Sequence, residues 1–263
     1  MKIASWNINS VRLRIKQIEQ FTQNEQPDVL CLQETKVRDE EFPLKAIKKM
    51  GYEHVLFRGE KSYNGVAIMS KLPLEGVEKQ KIAGSEDTRH ISTILPGDIE
   101  LHNFYIPAGG DEPDTEVNPK YKFKLDFLDH MKDWFSSNRK PSDKIIILGD
   151  FNIAPMEHDV WSSKQLKNVV SHTMPERTRL DNFKESLGWI DTGRHFVPED
   201  EKLYSWWSYR NRDWKKSNRG RRLDHIWTTS PLKESLSSHK VIKETRDWEK
   251  PSDHAPVVIE LKK

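Results

Sequence analysis

The chain has 263 residues, 43 Lys and Arg against 41 Asp and Glu, and a single cysteine, Cys31. That length can bury a sizeable core without staples. A lone cysteine excludes an intramolecular disulfide and suits a reducing compartment. The opening MKIASWNINS has no apolar h-region, so no signal peptide is expected, and no apolar run approaches the length of a membrane span.

In chain order, short apolar and β-branched runs alternate with helical periodicity. A strand is expected over Lys2–Asn7, a helix over Val11–Gln23 and, after Pro27-Asp28, a strand over Val29–Gln33. A helix over Glu40–Lys49 precedes strands at His54–Phe57, Val66–Ser70, Ile91–Leu95 and Ile99–Phe104. The loop Pro107–Asn118 leads into a helix over Lys120–Asn138, where Phe123, Phe127, Met131 and Trp134 recur at helical spacing and are expected in the core. A strand over Lys144–Leu148, a helix over Gln165–Val170 and strands over Leu223–Thr228 and Val257–Leu261 complete the series. No repeat or flexible linker divides the chain, so a single domain spanning 1–263 is expected, an α/β layered architecture with strands covered by helices.

The polar residues at the strand ends carry the chemistry. The run KIIILGDFNIAP ends in Gly149, Asp150 and Asn152. In an extended backbone, side chains at i and i+2 point to one side, so Asp150 and Asn152 are expected to face one spot and to hold and activate a water, with Gly149 permitting the exit from the strand. SWNIN repeats the spacing with Asn7 and Asn9, LCLQE ends in Glu34, and NFYIP places Tyr105 after a strand. RRLDHIW supplies Asp224, and PSDHAP supplies Asp253 and His254. Residues 202–222, KLYSWWSYRNRDWKKSNRGRR, carry eight Lys and Arg against one Asp, interleaved with aromatics. That mixture suits a phosphate backbone and exposed bases or sugars.

SWNINSVR, LCLQETK, NFYIPAG, ILGDFNIAP, RRLDHIW and SDHAPV, in this order along the whole chain, resemble the signature blocks of the exonuclease III class of abasic-site endonucleases, within the endonuclease/exonuclease/phosphatase superfamily. GDFN and SDHxP are shared with DNase I-like nucleases and with lipid and inositol phosphatases; the intact QET and the Trp-rich loop point to the exonuclease III branch. The resemblance implies a four-layer α-β-β-α sandwich of two packed mixed sheets flanked by helices, DNase I-like, with the site at one end. It implies hydrolysis of the phosphodiester 5′ to an abasic site in double-stranded DNA, leaving a 3′-hydroxyl and a 5′-deoxyribose phosphate, together with trimming of 3′ ends and removal of 3′ blocking groups in base excision repair.

Residue by residue, the resemblance implies Asp150 as general base, Asn152 and Asn7 positioning the water, His254 on a phosphate oxygen with Asp224 orienting its ring, and Tyr105 as a donor to the phosphate or leaving oxygen. Glu34, with Asn7, Asn9, Asp150, Asn152 and Asp253 around it, would hold Mg²⁺ or Mn²⁺, since hard anionic oxygens suit those ions. Arg89, Trp206, Arg210, Arg221 and Leu223 would contact DNA. Arg221 stands where some relatives carry a large apolar pocket residue, and Ala108-Gly109-Gly110 where some carry Asn or Arg. A monomer working in the cytoplasm, without an obligate protein partner, is expected. The competing expectations are another phosphodiesterase or phosphatase of the superfamily, and a nucleic-acid-binding regulator of the same fold that has lost cleavage.

Overall fold

Apolar runs such as Val66–Ser70 and Ile145–Asp150 cannot leave either face in water, and in the structure each becomes a central strand buried along its whole length. The structure, a computed structural model, describes residues 1–211 and 213–262; Arg212, in the basic stretch, lies outside the described residues. The elements are β1 (Lys2–Asn7), α1 (Ile15–Glu25), β2 (Val29–Gln33), α2 (Leu44–Lys49), β3 (His54–Arg58), β4 (Val66–Ser70), β5 (Glu75–Glu78), β6 (His90–Leu95), β7 (Ile99–Tyr105) and α3 (Pro119–Asn138). There follow β8 (Ile145–Asp150), α4 (Ser163–Leu166), α5 (Met174–Ser186), β9 (Ile190–Asp191), α6 (Thr192–Phe196), β10 (Trp206–Trp207), α7 (Trp214–Ser217), β11 (Gly220–Arg221), β12 (Asp224–Thr228), β13 (Leu236–Val241) and β14 (Val257–Leu261).

Two six-stranded sheets form, in the orders β13-β14-β1-β2-β4-β3 and β5-β6-β7-β8-β12-β9. Each holds one parallel pair, β1 with β2 and β7 with β8, and is otherwise antiparallel. A parallel pair needs a crossover: α1 connects the first and α3 the second. Side chains from the inner faces, among them Ile3, Cys31, Ile68, Leu101, Ile146 and Ile226, fill the space between the sheets. Ile18, Phe21 and Ile47 cover the outer face of the first sheet, and Phe127, Met131, Phe135, Leu180 and Phe183 that of the second. This is the four-layer sandwich the resemblance implies. No described helix is long and apolar enough to cross a membrane.

Several expected boundaries move, for identifiable reasons. The first helix starts at Ile15 rather than Val11, because residues 11–14 turn around the Arg14 guanidinium, which binds the carbonyls of Ile8, Asn9, Lys250 and Pro251. The second is split by Pro43, which holds Phe42 extended, into a 3₁₀ turn at Asp39–Glu41 and α2. Instead of a helix over Gln165–Val170 there is the short α4, started by Ser162 accepting from the Gln165 N–H. Helix α5 lies outside the expected helices, and Thr173 and Glu176 form a capping box at its start with Pro175 in the first turn. Edge strands β5 and β13 also lie outside the expected strands, being polar as edges tend to be. In α3, Phe127 and Met131 are buried as expected, whereas Phe123 and Trp134 are half-buried at the margin.

Strand β8 runs through Gly149 to Asp150, so Gly149 is not the exit expected of it. It has φ +137°, and a Cβ there would lie 1.9 Å from the Phe104 carbonyl oxygen on β7. The glycine lets two strands approach where both deliver site residues. Replacing Gly149 with Ala is expected to cost about 3 kcal/mol or more, read by chemical denaturation.

Just ahead of β12, Arg222 lies between Asp159 (Nε–Oδ1 2.8 Å) and Asp191 (Nη1–Oδ2 2.8 Å), all three buried. Burial alone would raise the Asp191 carboxyl; the Arg222 guanidinium outweighs it and holds the pKa down at about 2. A depressed carboxyl stabilises the fold above its unfolded pKa, about 3.9, and that contribution is lost as pH falls through about 2. Stability should therefore drop by about 2–3 kcal/mol between about pH 4 and pH 2 on account of this group, a slope that Asp191→Asn should flatten.

Candidate active site

Parallel pairing carries strand ends to one edge. Asn7 is opposite Gln33 at the ends of β1 and β2, and Tyr105 is opposite Asp150 at the ends of β7 and β8. Antiparallel β12 begins at that same edge, with Asp224 opposite Asp150. Asp253 and His254 arrive just before β14, where His254 bridges to Trp206. The polar residues singled out in the sequence therefore gather on one rim.

The Asn7 amide nitrogen donates to Glu34 Oε1 and to Asp150 Oδ2, each at 2.8 Å, which ties the first sheet to the second. Asp150 also accepts from the Asn152 main-chain N–H (2.9 Å) and side-chain amide (3.1 Å). The two side chains do meet, though not by strand alternation: Asn152 is left-handed, φ +54°, and folds back in a turn around the Asp150 carboxylate. Asn9 does the same, its N–H donating to Asn7 Oδ1 at φ +46°. Asn tolerates this region better than most residues. His254 Nδ1 donates to Asp224 Oδ2 at 2.8 Å, and its Nε2 lies 3.7 Å from Asp150 Oδ2. Ser205, which sequence reasoning missed, donates to the same Asp224 oxygen at 2.6 Å while accepting the N–H groups of Leu223 and Asp224.

Burial raises the Asp150 carboxyl pKa; the His254 imidazolium opposes this, Asp224 and Glu34 reinforce it, and the net direction is upward. Burial would lower His254, but the carboxylates of Asp224 and Asp150 win and hold it charged. Burial, with Glu34 and Asp150 nearby, keeps Tyr105 protonated, a donor throughout the physiological range. A poised carboxylate beside a fixed cationic donor and a neutral donor can take a proton from water and stabilise a developing oxyanion.

Glu34, Asp150 and His254 each offer an atom within 4.8 Å of the others, a separation that suits a metal. His254 gives Nδ1 to Asp224 and turns Nε2 toward Asp150, the arrangement of a donor rather than a ligand. Oxygens remain. The Lys36 ammonium sits between Glu34 Oε2 and Asn9 Oδ1, 2.7 Å from each, so two oxygens already converge on a cation. Asp253 stands beside them, accepting from Asn9 (3.1 Å) and from the Trp206 indole (2.9 Å). This hard-oxygen set fits Mg²⁺ or Mn²⁺. Asn7 and Asn152 turn their amide nitrogens, not their oxygens, to the carboxylates.

Glu34, Tyr105, Asn152, Asp253 and His254 form one wall of a cleft of about 650 Å³. Trp206, Arg210, Arg221 and Leu223 also line it, together with Trp161. Arg221 lies over the Trp206 ring, 5.4 Å from its centroid, and donates to Val170 O and Ser171 Oγ. Arg89 is outside the cleft lining, paired with Asp87 at 3.0 Å and stacked on the Tyr105 ring. The basic, aromatic stretch divides accordingly: Tyr204 and Trp207 are core, Arg222 is a buried structural ion, and Trp206 faces the cleft.

Residues 4–254 match the model of the endonuclease/exonuclease/phosphatase family. The chain is 32% identical to exodeoxyribonuclease III of Haemophilus influenzae, over all of both chains. Among solved structures, it is similar to an AP endonuclease from Archaeoglobus fulgidus (TM-score 0.93, 33% identity, 99% of each chain). It is also similar to the 3′ phosphatase NExo from Neisseria, solved with a product DNA hairpin (TM-score 0.91, 30% identity, all of each chain). The chain therefore belongs to the endonuclease/exonuclease/phosphatase family.

Proposed function

We propose that this protein is a divalent-metal-dependent DNA repair nuclease. It hydrolyses the phosphodiester 5′ to an abasic site in duplex DNA, leaving a 3′-hydroxyl and a 5′-deoxyribose phosphate, and trims 3′ ends and 3′ phosphates at the same site. One observation carries the reading: a buried carboxylate, Asp150, meets a carboxylate-held histidine, a neutral tyrosine and a hard-oxygen cation site in one cleft. A regulator that had lost cleavage would have no use for that set. Arg210, Arg219 and Arg221 along the cleft favour a polyanion over a small phosphate ester.

The roles follow from position. Asp150 accepts the proton of the attacking water, which the Asn152 amide orients. His254 Nε2 donates to a non-bridging phosphate oxygen while Asp224, itself held by Ser205, orients the ring. Tyr105 donates where charge develops on the phosphate or the leaving oxygen. Glu34, with Asn9 and Asp253 beside it, would hold Mg²⁺ or Mn²⁺, which when bound offsets negative charge on the phosphoryl group. Trp206 and Leu223 wall the space for the baseless sugar, Arg210 and Arg221 meet the backbone, and Arg89 supports Tyr105 from behind. The reaction belongs to base excision repair, and we place the protein in the cytoplasm as a monomer.

The test is a labelled duplex carrying one abasic site, with an undamaged duplex as control. Cutting on the 5′ side of the lesion in Mg²⁺ is expected, with none in EDTA. Asp150→Asn should lower the rate by about 10²–10⁴-fold with the fold retained. Tight DNA binding by the unsubstituted protein without cleavage under any divalent metal would favour the regulator instead.

A further inference from the structure

Behind the cleft, Lys124 of α3 and Glu176 of α5 form an ion pair at 2.5 Å with neither side chain exposed to solvent. The site chemistry above uses neither. A buried ion pair is a poor source of stability, because desolvating both charges offsets most of their attraction, so its presence calls for another account.

The hydrogen bonds supply one. The Lys124 ammonium has three protons to donate. Beyond Glu176, it reaches the Asn152 carbonyl at 2.7 Å and the Ala108 carbonyl at 3.2 Å. Asn152 is held at φ +54° there, with its N–H and amide on Asp150. Ala108 lies in the loop that follows Tyr105 and lines the cleft. Glu176 in turn accepts from the main-chain N–H groups of Ser171 and Thr173 and from the Thr173 hydroxyl, and the Ser171 hydroxyl receives Arg221. One buried pair therefore grips, from behind, the backbone of a site residue, the loop after a second and the segment that anchors a third. The ammonium binds the main-chain oxygen of Asn152 and so holds the backbone from which that side chain, bonded to Asp150 and to the Ile106 carbonyl, projects.

We infer that Lys124, held by Glu176, is a positioning residue that acts through Asn152. The inference rests on the proposed role of Asn152 in orienting the attacking water. The double variant Lys124→Met/Glu176→Gln replaces the ion pair by groups of similar shape without leaving a buried charge unpaired. On an abasic duplex it should lower kcat about tenfold with KM little changed, since tenfold reflects loss of an orienting contact in the transition state rather than of DNA binding.

The decisive comparison is a cycle with Asn152→Ala. If Lys124 acts through Asn152, the double variant costs nothing further once Asn152 is gone, because residues working through one contact are not additive. A full tenfold loss in the Asn152→Ala background, or unchanged kcat in a folded double variant, overturns the inference. If Asn152→Ala alone cuts as fast as the unsubstituted protein, it is the proposed role of Asn152 that fails, and the inference with it. Should the double variant not fold, Lys124→Arg takes its place in the same cycle, keeping the charge but displacing the donor from the Asn152 carbonyl.

Discussion

The site depends on one side chain amide. The Asn7 nitrogen gives one proton to Glu34, at the end of β2, and the other to Asp150, at the end of β8. Two carboxylates brought this close in a buried rim repel each other and favour protonation. A neutral double donor between them, with Lys36 beside Glu34 and His254 beside Asp150, lets both stay near. It also sets the alignment of the two sheets at the edge where chemistry happens, since the carboxylates belong to different sheets.

Around that bridge, charges alternate. Lys36 answers Glu34, His254 stands between Asp150 and Asp224, and Asp253 is held by Asn9 and the Trp206 indole. Each buried charge is paired or hydrogen-bonded, which is the condition for keeping it in a low-dielectric setting. One departure is Asp224 Oδ1, buried and without a partner among the described residues, while Oδ2 receives both His254 and Ser205. Concentrating donors on one oxygen aims the imidazole. The fold supports this arrangement through the close approach at Gly149 and the Arg222 network just ahead of β12.

Much of this was readable in the sequence, for a physical reason: a buried strand has no use for polar residues, so Asn7, Glu34, Asp150 and Asp224 at the ends of apolar runs stand out. The central strands were readable for the same cause. The means by which the residues meet were not. Strand alternation would have placed Asp150 and Asn152 side by side, yet Asn9, Glu34 and Asn152 all adopt positive φ, and the amides fold back on the preceding side chains. Ser205, Lys36, Lys124 and Glu176 look like ordinary polar residues until the fold brings their partners from distant segments. Of the missed elements, only α5 announced itself, through its Thr-x-x-Glu cap.

The most direct test of the central claim is the rate at which Asn7→Ala cuts a duplex with a single abasic site in Mg²⁺, beside its far-ultraviolet circular dichroism. If the amide bridge organises the two carboxylates, the rate should fall by about 10²-fold or more while the spectrum keeps its native shape. A folded Asn7→Ala protein cutting within a few-fold of the unsubstituted rate would contradict the account and leave Asn7 as a filler between the sheets.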